Sequence, residues 1–383
     1  MLERVAEWRR EREESYIDYS MIFIILFLLA FGLIMLYSTS SYEANLDYND
    51  SAYYFKHQLI PSVLGLVGMV VLSYVPYKIY YRLAMPIYVG AAALLLAIIP
   101  FGKTVNGAKR WIIIKGVSIQ PAEVAKVAAI IFTATMIIKL KKNLTTNKGF
   151  ATALLFPAIL AGMVYIITRN LSSAIIIMGI TLVMLFISTP GYRMYIIVSL
   201  ALIAFVAVLV IIIANSSQTS GMNYRFERVL AWLDPQAHAS GKGFQTLQAL
   251  YAIGSGGIFG KGLGESMQKM GFIPEAQNDM IFSIICEELG LFGAIAVMLM
   301  FLLLIWRLMV VANNAPDMFG ALLVIGVMGH ISIQVILNIA VVTNTIPNTG
   351  ITLPFISYGG SAVIFQLAEI GIALNVARNI GRE

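Results

Sequence analysis

Long apolar runs recur along this 383-residue chain from Tyr19 almost to the C-terminus. Each run is long enough to cross a hydrocarbon core of about 30 Å as a helix. Charged residues make up only 12% of the sequence and apolar residues 59%, so water cannot be the main solvent of the chain. The runs are continuous and lack the alternation of outer-membrane strands, which favours helices. The sequence therefore predicts an all-α polytopic membrane protein.

We expect about ten transmembrane helices in a single bundle. Residues 1–18 form a charged N-terminal segment, and residues 19–383 form one transmembrane domain. The first apolar run lacks a small-residue cleavage site, so we expect an uncleaved first helix. The spans are predicted near residues 19–37, 59–75, 83–99, 122–140, 150–168, 171–188, 193–213, 280–306, 318–342 and 360–378.

Lys and Arg are distributed unequally between alternate loops. With the N-terminus taken as cytoplasmic, the inside segments hold fourteen of them and the short outside loops hold six. This bias predicts that both termini are cytoplasmic. One long extracytoplasmic loop, residues 214–277, then connects helices 7 and 8, and loops of that length are usually functional.

Two short helices are predicted within this long loop, at residues 223–233 and 244–253, because apolar residues recur there at helical spacing. A glycine-rich stretch, residues 254–264, follows them but does not match the phosphate-binding loop of nucleotide enzymes. Lys261 and Lys269 could bind a phosphate group. A flexible, solvated loop is the alternative for both residues.

Asp279 is the residue that we single out as catalytic. It lies in FIPEAQNDMIFSIICEELG, where the long loop meets the eighth span. A carboxylate at a helix N-terminus is also a common stabilising charge, so position alone leaves that alternative open. Glu287 and Glu288 follow two turns deeper, where acids are costly and usually functional. At about 100° per residue, Glu287 can share a cavity with Asp279, whereas Glu288 faces a neighbouring helix.

A second group of charges lies near the start of span four. Glu123 and Lys126, in SIQPAEVAK, are three residues apart and share one helical face. They fit either a buried salt bridge that fixes packing or a ligand-binding pair. Upstream, NGAKRWI places Lys109 and Arg110 beside a tryptophan in an outside loop that carries no acid. Two adjacent cations there suit a diphosphate.

The connection between the last two spans is rich in proline and glycine, which excludes a regular helix. Irregular backbone at membrane depth is tolerated only when it is buried in protein or lines a cavity. We therefore expect this segment, with Pro354, Ser357 and Gly359, to wall the site.

Taken together, these segments resemble the SEDS family of shape, elongation, division and sporulation proteins, whose best-known members are FtsW and RodA. The resemblance spans nearly the whole chain, and PEAQNDMIF is closer to the division and sporulation branch. It is carried by five ordered motifs: NGAKRWI, SIQPAEVAK, YRFERVLAWLDP, GKGLGESMQKMGFIPEAQNDMIFSIICEELG and TGITLPFISYGGS.

The resemblance implies an enzyme of the bacterial cytoplasmic membrane that polymerises lipid II into β-1,4 glycan strands, with release of undecaprenyl diphosphate, in division or cell-shape wall synthesis. It implies a class B penicillin-binding protein and other division or elongation proteins as partners, and no nucleic acid. It assigns the essential acid to Asp279 and a cavity role to Glu123 and Lys126. It fixes no cofactor, so the reaction is expected with or without a divalent magnesium or manganese ion.

The chain departs from the family pattern at one acidic position. Asn170 stands where an aspartate is common, which argues against an acid or metal-binding role there. Gln277 and Asn278 replace a common His and Thr but leave Asp279 in register.

We expect Asp279 to act as general base on a sugar 4-hydroxyl, which attacks the anomeric carbon of the donor with inversion. A lipid diphosphate leaves as a stable anion, so one base and nearby cations suffice. Two other classes of function share some of these features. One is a transporter that flips the lipid-linked sugar, and the other is a non-catalytic scaffold for division enzymes.

Overall fold

A computed structural model of the chain describes residues 18–105, 108–114, 117–141, 143–189, 191, 195, 224–239 and 241–380. Within these residues, nine helices are long and apolar enough to cross a membrane, which confirms the polytopic helical class. The span predicted near 193–213 lies outside the described residues. The nine are α1 (Tyr19–Tyr48), α2 (Tyr53–Tyr74), α3 (Lys78–Phe101), α4 (Pro121–Lys139), α5 (Asn147–Thr168), α6 (Leu171–Ser188), α9 (Ile281–Asn313), α10 (Met318–Val342) and α11 (Gly360–Arg378).

Two shorter helices, α7 (Tyr224–Leu233) and α8 (Lys242–Gly256), lie in the long connection before α9. Both were predicted from helical spacing, and both are present. The short turns between most of the other helices make neighbours antiparallel. We call the end of the bundle where α1 finishes and α11 begins the site end, and the opposite end the distal end. Asp279 lies at the site end, two residues before α9.

The most enclosed spans are α4 and α11, with 78% and 72% of their most apolar windows buried. Small residues of α4, such as Ala125 and Ala129, are fully buried and let neighbouring helices approach closely. Both helices also carry ionisable side chains inside the bundle. Such groups must therefore find partners within the protein, because lipid offers none.

The region predicted as a loop near residues 100–120 forms a small antiparallel sheet. Its strands are β1 (Gly102–Val105), β2 (Ala108–Ile114) and β3 (Val117–Ile119), with β2 in the middle. Valine, isoleucine and threonine are frequent in these strands and favour extended backbone. This small sheet is an addition at the site end, and the predicted all-α class holds for the bundle.

The backbone of the glycine-rich stretch packs against the first turns of α9, while most residues of the stretch are exposed, as predicted for a solvated loop. Gly260 has a φ of +78°, and a side-chain carbon there would lie 2.1 Å from the carbonyl oxygen of Glu288. The amide of Gly262 donates to the same carbonyl at 2.9 Å. α9 departs from helical geometry at Gly290, opposite this loop. Glycine is needed because two backbones meet here without room for side chains.

Candidate active site at the loop-to-helix junction of α9

Asp279 lies at the boundary between the long connection and α9, as the sequence predicted. Its backbone carbonyl accepts a hydrogen bond of 2.8 Å from the side-chain amide of Asn338 on α10. The same amide donates to the carbonyl of Ile351 at 2.7 Å. Asn338 is fully buried. It therefore fixes Asp279 against both α10 and the proline-rich connection that follows α10.

Burial raises the pKa of the Asp279 carboxyl to about 6, and the nearby Glu275 carboxylate adds to the increase. The Arg228 guanidinium and the Asn348 amide act in the opposite direction, because both favour the ionised form. The carboxyl is thus largely ionised at pH 7 yet more basic than an ordinary aspartate. That combination suits a general base.

Arg228 and Asn348 were not identified as site residues from the sequence. Arg228 lies on α7, and its guanidinium donates to the carbonyl of Asn348 at 3.1 Å. The Asn348 amide donates to Gln245 on α8 at 3.2 Å. The two short helices therefore hold the connection after α10 beside Asp279. The motif YRFERVLAWLDP contained the signal, but its distance of about fifty residues from Asp279 concealed the contact.

Glu287 does not line a cavity with Asp279, and that prediction was wrong. Its side chain is fully buried. One carboxylate oxygen accepts a hydrogen bond from the Lys261 ammonium at 2.6 Å, and the other accepts a hydrogen bond from the Ser266 hydroxyl. Backbone amides of Met267 and Gln268 donate to it at 3.2 and 3.3 Å. Glu287 therefore binds the glycine-rich stretch to α9.

Glu288 braces a neighbouring helix, as its direction on α9 predicted. It accepts a 2.8 Å hydrogen bond from Ser38 of α1 and pairs with the Lys269 ammonium at 2.7 Å. Lys269 also donates to Ser38 at 3.0 Å and to the carbonyl of Gly264 at 2.7 Å. These three acceptors fill its three donors. Lys269 is therefore a structural cation, and the predicted role in phosphate binding was wrong for this residue.

Lys261 is also held by a carboxylate, that of Glu287, although a third of its side chain remains exposed. The pairing neutralises its charge at close range. Lys261 thus serves mainly to join the glycine-rich stretch to α9, and Lys269 joins the segment that follows this stretch to α9.

Glu123 and Lys126 form a buried pair at the start of α4, with 2.8 Å between the ammonium and a carboxylate oxygen. Both side chains are almost fully enclosed. The residue before α4 is joined to the start of α11, because the backbone amide of Gln120 donates to Ser361 at 3.1 Å. Within the described residues, the Glu123 carboxylate is the one acceptor for the Lys126 ammonium. The geometry fits both alternatives left open by the sequence.

The two cations of NGAKRWI lie at an irregularity in the pairing of β2 with β1, and they differ in exposure. Arg110 is half-buried. Lys109 is exposed, and its ammonium donates to the carbonyl of Ile99 at 3.3 Å. The action of these two adjacent cations on one diphosphate stays a prediction. Arg110 is the more buried candidate of the two.

The connection between α10 and α11 is irregular, as its prolines and glycines predicted. Ser357 is buried and accepts a hydrogen bond from the backbone amide of Leu353 at 2.8 Å. This bond closes a turn around Pro354. The Gly359 amide donates to Gln58 of α2 at 3.0 Å. This connection, residues 343–359, is therefore rigid, and we call it the wall segment. Gly350 within it lies against Asp279.

Asn170, which replaces the acid common in the family, caps α6. Its side-chain oxygen accepts from the amide of Ser173 at 3.0 Å. The next residue but one, Ser172, donates to the carbonyl of Thr349 in the wall segment. Asn170 therefore satisfies a helix terminus without adding charge near the site.

Across the described residues, no three histidine, cysteine, aspartate or glutamate side chains lie close enough to hold a metal ion together. Magnesium commonly uses one or two carboxylates together with substrate phosphates. In the described part of the chain, carboxylates can hold a magnesium ion only if a substrate supplies further ligands.

The family model described as cell cycle protein, of the FtsW, RodA and SpoVE type, matches residues 19–381. The match covers the helices, the wall segment and Asp279. The chain belongs to this family. The SEDS resemblance seen in the motifs is thereby confirmed.

Curated relatives match this chain over almost its full length. Stage V sporulation protein E of Bacillus subtilis is 38% identical over 368 residues, covering 94% of this chain and 97% of the relative. The probable peptidoglycan glycosyltransferase FtsW of Trichlorobacter lovleyi is 36% identical over 366 residues, covering 95% and 93%. The likeness therefore includes both the bundle and the site end.

Solved structures share the fold. One is a chain from a peptidoglycan synthase complex that coordinates polymerization and crosslinking, with 27% identity, a TM-score of 0.78 and coverage of 96% of this chain and 99% of that chain. Another is the rod shape determining protein RodA of Thermus thermophilus, with 24% identity, a TM-score of 0.68 and coverage of 96% and 98%. The bundle of this chain is thus a known membrane architecture.

Proposed function

We propose that this chain is a peptidoglycan glycosyltransferase that polymerises lipid II, with Asp279 as general base. The observation that carries the proposal is the geometry of the Asp279 carboxylate, which is held at the start of a membrane helix by Asn338 and flanked by Arg228, with its pKa raised to about 6 by burial. The printed names of the relatives support the same class of reaction. We also propose that the site end faces outward from the bacterial cytoplasmic membrane, as the loop charges predict.

In the proposed reaction, Asp279 accepts the proton of the acceptor's sugar 4-hydroxyl. The freed oxygen forms the new bond to the donor's anomeric carbon, and the bond to the lipid diphosphate breaks with its electron pair on the leaving oxygen. Attack from the face opposite the leaving group inverts the anomeric configuration. No second carboxylic acid is required, because the diphosphate leaves as a stabilised anion.

Cations near the site offset the charge that develops on the diphosphate. Arg228 is close enough to Asp279 to favour its ionised form, and Arg110 is the half-buried cation of β2. Lys126 is a third candidate because its ammonium has donors to spare beyond Glu123. A divalent ion bound through substrate phosphates could share this task.

The partner in this proposal is a class B penicillin-binding protein. It is supported by the fold shared with a chain of a peptidoglycan synthase complex. The polymerase would then supply glycan strands to a crosslinking enzyme in division or cell-shape complexes.

The test is polymerisation of lipid II by the purified protein, compared with Asp279→Ala and with Glu275→Ala as a matched acidic control. We expect Asp279→Ala to lose at least about a hundredfold in rate, because removing a general base typically costs that much. Glu275→Ala should retain most activity. Each variant is first checked for a melting temperature close to that of the wild type.

Unchanged polymerisation by a folded Asp279→Ala variant would contradict the base assignment. Transfer of the lipid-linked sugar across the bilayer without polymer would instead favour the transporter. Analysis of the anomeric configuration of the product tests inversion separately.

A further inference from the structure

A cluster of aromatic rings stands at the site end where α1 turns into α2. Tyr48 stacks on Tyr53 with ring centroids 3.7 Å apart and planes 4° apart, and His57 lies 4.0 Å from the other side of Tyr53. Tyr54 meets Tyr53 edge-on at 5.5 Å and Tyr358 at 5.2 Å. We call these five residues the aromatic shelf.

The shelf projects beyond the membrane core. α1 has 30 residues and is therefore about 45 Å long, against a hydrocarbon thickness of about 30 Å. Its apolar part ends near Tyr37, and the sequence STSSYEANLDY follows. Tyr48 is eleven residues beyond Tyr37, about 16 Å further along the helix. An aromatic belt at the lipid headgroups does not explain a ring placed at this height.

The shelf is joined directly to the segment that carries Asp279. The backbone amide of Tyr358 donates to the carbonyl of Gln277 at 2.9 Å. Gln277 precedes Asp279 by two residues, so their Cα atoms are at most about 7 Å apart. A short oligosaccharide can therefore reach from the carboxylate to the rings.

The surface between the aromatic shelf and Asp279 is formed by Gln277, Glu43 and Asp47, and we call it the rim. It offers hydrogen-bond acceptors, and no cation is paired with them within the described residues. Gln277 is buried, and its side-chain oxygen has no donor within the described residues. Its side chain lies beside the Glu43 carboxylate. In the described part of the chain, neither Glu43 nor Asp47 pairs with a cation. This rim repels phosphate and suits a ligand that is rich in donors.

We propose that the aromatic shelf binds the sugar rings of the growing glycan strand, with N-acetylated hexosamines as its ligand class. Pyranose rings have an apolar C–H face that packs on an aromatic ring, and they carry hydroxyl and acetamido N–H donors for the rim. Tyr48 lies at the end of the stack and is 49% exposed, so its ring is accessible to a ligand. The inference rests on the proposed function. It assigns the glycan strand to the side of Asp279 that carries Glu43 and Asp47, and the lipid diphosphate to the side that carries the cations.

Binding is tested without catalysis, using the full chain in nanodiscs and a soluble β-1,4-linked N-acetylglucosamine tetramer that lacks lipid and phosphate. Saturation-transfer NMR should show contact with the wild type and with Tyr48→Phe. In Tyr48→Ala the affinity should fall about fivefold, because one aromatic contact is lost. Tyr19→Ala is the matched control, because Tyr19 is an exposed tyrosine of the same helix at the distal end.

The same variants are compared for product length with lipid II. Tyr48→Ala should give shorter strands, and Tyr48→Phe should restore them. If folded Tyr48→Ala binds the tetramer as tightly as the wild type and makes strands of equal length, the proposed role of the shelf is wrong. It is also wrong if a basic peptide displaces the tetramer and longer glycan oligomers do not. Asp279→Ala should still bind the tetramer. If that variant also polymerises, the proposed base assignment fails while the binding result continues to report on the shelf.

Discussion

The side-chain amide of Asn338 donates to the backbone carbonyl of Asp279 at 2.8 Å, and this bond fixes the height of the carboxylate at the site end. The same amide donates to the carbonyl of Ile351 in the wall segment. A single buried side chain on α10 therefore joins the candidate base to the segment that encloses it.

Substituting Asn338 by alanine removes both donors. We expect the turnover rate with lipid II to fall about tenfold to a hundredfold, because small displacements of a catalytic group have effects of that size. The Michaelis constant should change much less. Asn314→Ala is a suitable control, because its side-chain amide donates to the carbonyl of Val310 in α9, at the distal end. Equal activity of both variants would contradict the positioning role.

The pH dependence of polymerisation should report on Asp279. Burial raises the pKa of this carboxyl to about 6, and only the ionised form can accept a proton. Activity should therefore fall about tenfold per pH unit below pH 6. Glu275 raises this pKa, so Glu275→Gln should move the acid limb to lower pH. An acid limb that stays at the same pH in Glu275→Gln would argue against assigning it to Asp279.

Removing Lys269 should destabilise the protein. Its ammonium is enclosed and pairs with the buried Glu288, so Lys269→Met leaves an uncompensated carboxylate at a cost of about 3 kcal/mol or more. Lys261→Met should cost less, since that side chain is one-third exposed. Melting temperatures in detergent test the order. The double variant Lys269→Met with Glu288→Leu should recover much of the lost stability, and a further loss would contradict the pairing.

Gly260 should not tolerate a side chain. A Cβ atom there would lie 2.1 Å from the carbonyl oxygen of Glu288, and the φ of +78° adds strain. Gly260→Ala should therefore lower the melting temperature clearly. Gly254→Ala is the control, because a Cβ atom at that position of α8 meets nothing within 4 Å. It should be neutral or slightly stabilising, since alanine favours a helix over glycine.

The two cations of β2 should differ in their effect on substrate. Arg110 is half-buried, whereas Lys109 is exposed. Arg110→Ala should weaken binding of the lipid diphosphate more than Lys109→Ala, and the difference should shrink at high salt. Both substitutions are made in the Asp279→Asn variant, which should be inactive, and the affinity for lipid II is then measured without turnover. Equal weakening by both variants would show that the difference in burial does not decide the contact.

The sequence by itself determined the membrane helices, because hydrophobicity over about twenty residues is a local property that lipid enforces. It also placed Asp279 at the junction of loop and helix and predicted the irregular wall, since prolines and glycines restrict the backbone locally. The short helices α7 and α8 were predictable for the same reason, from the spacing of their apolar residues.

Only the tertiary structure decided which groups meet across the bundle. Ser38 and Glu288 are 250 residues apart in sequence, yet their side chains hydrogen-bond at 2.8 Å. Lys269 and Glu287 changed from candidate site groups to structural ones for this reason, and Arg228 joined Asp279. A charge buried in a bundle takes its role from the partner that compensates it, and that partner is fixed by helix packing, which the local sequence does not encode.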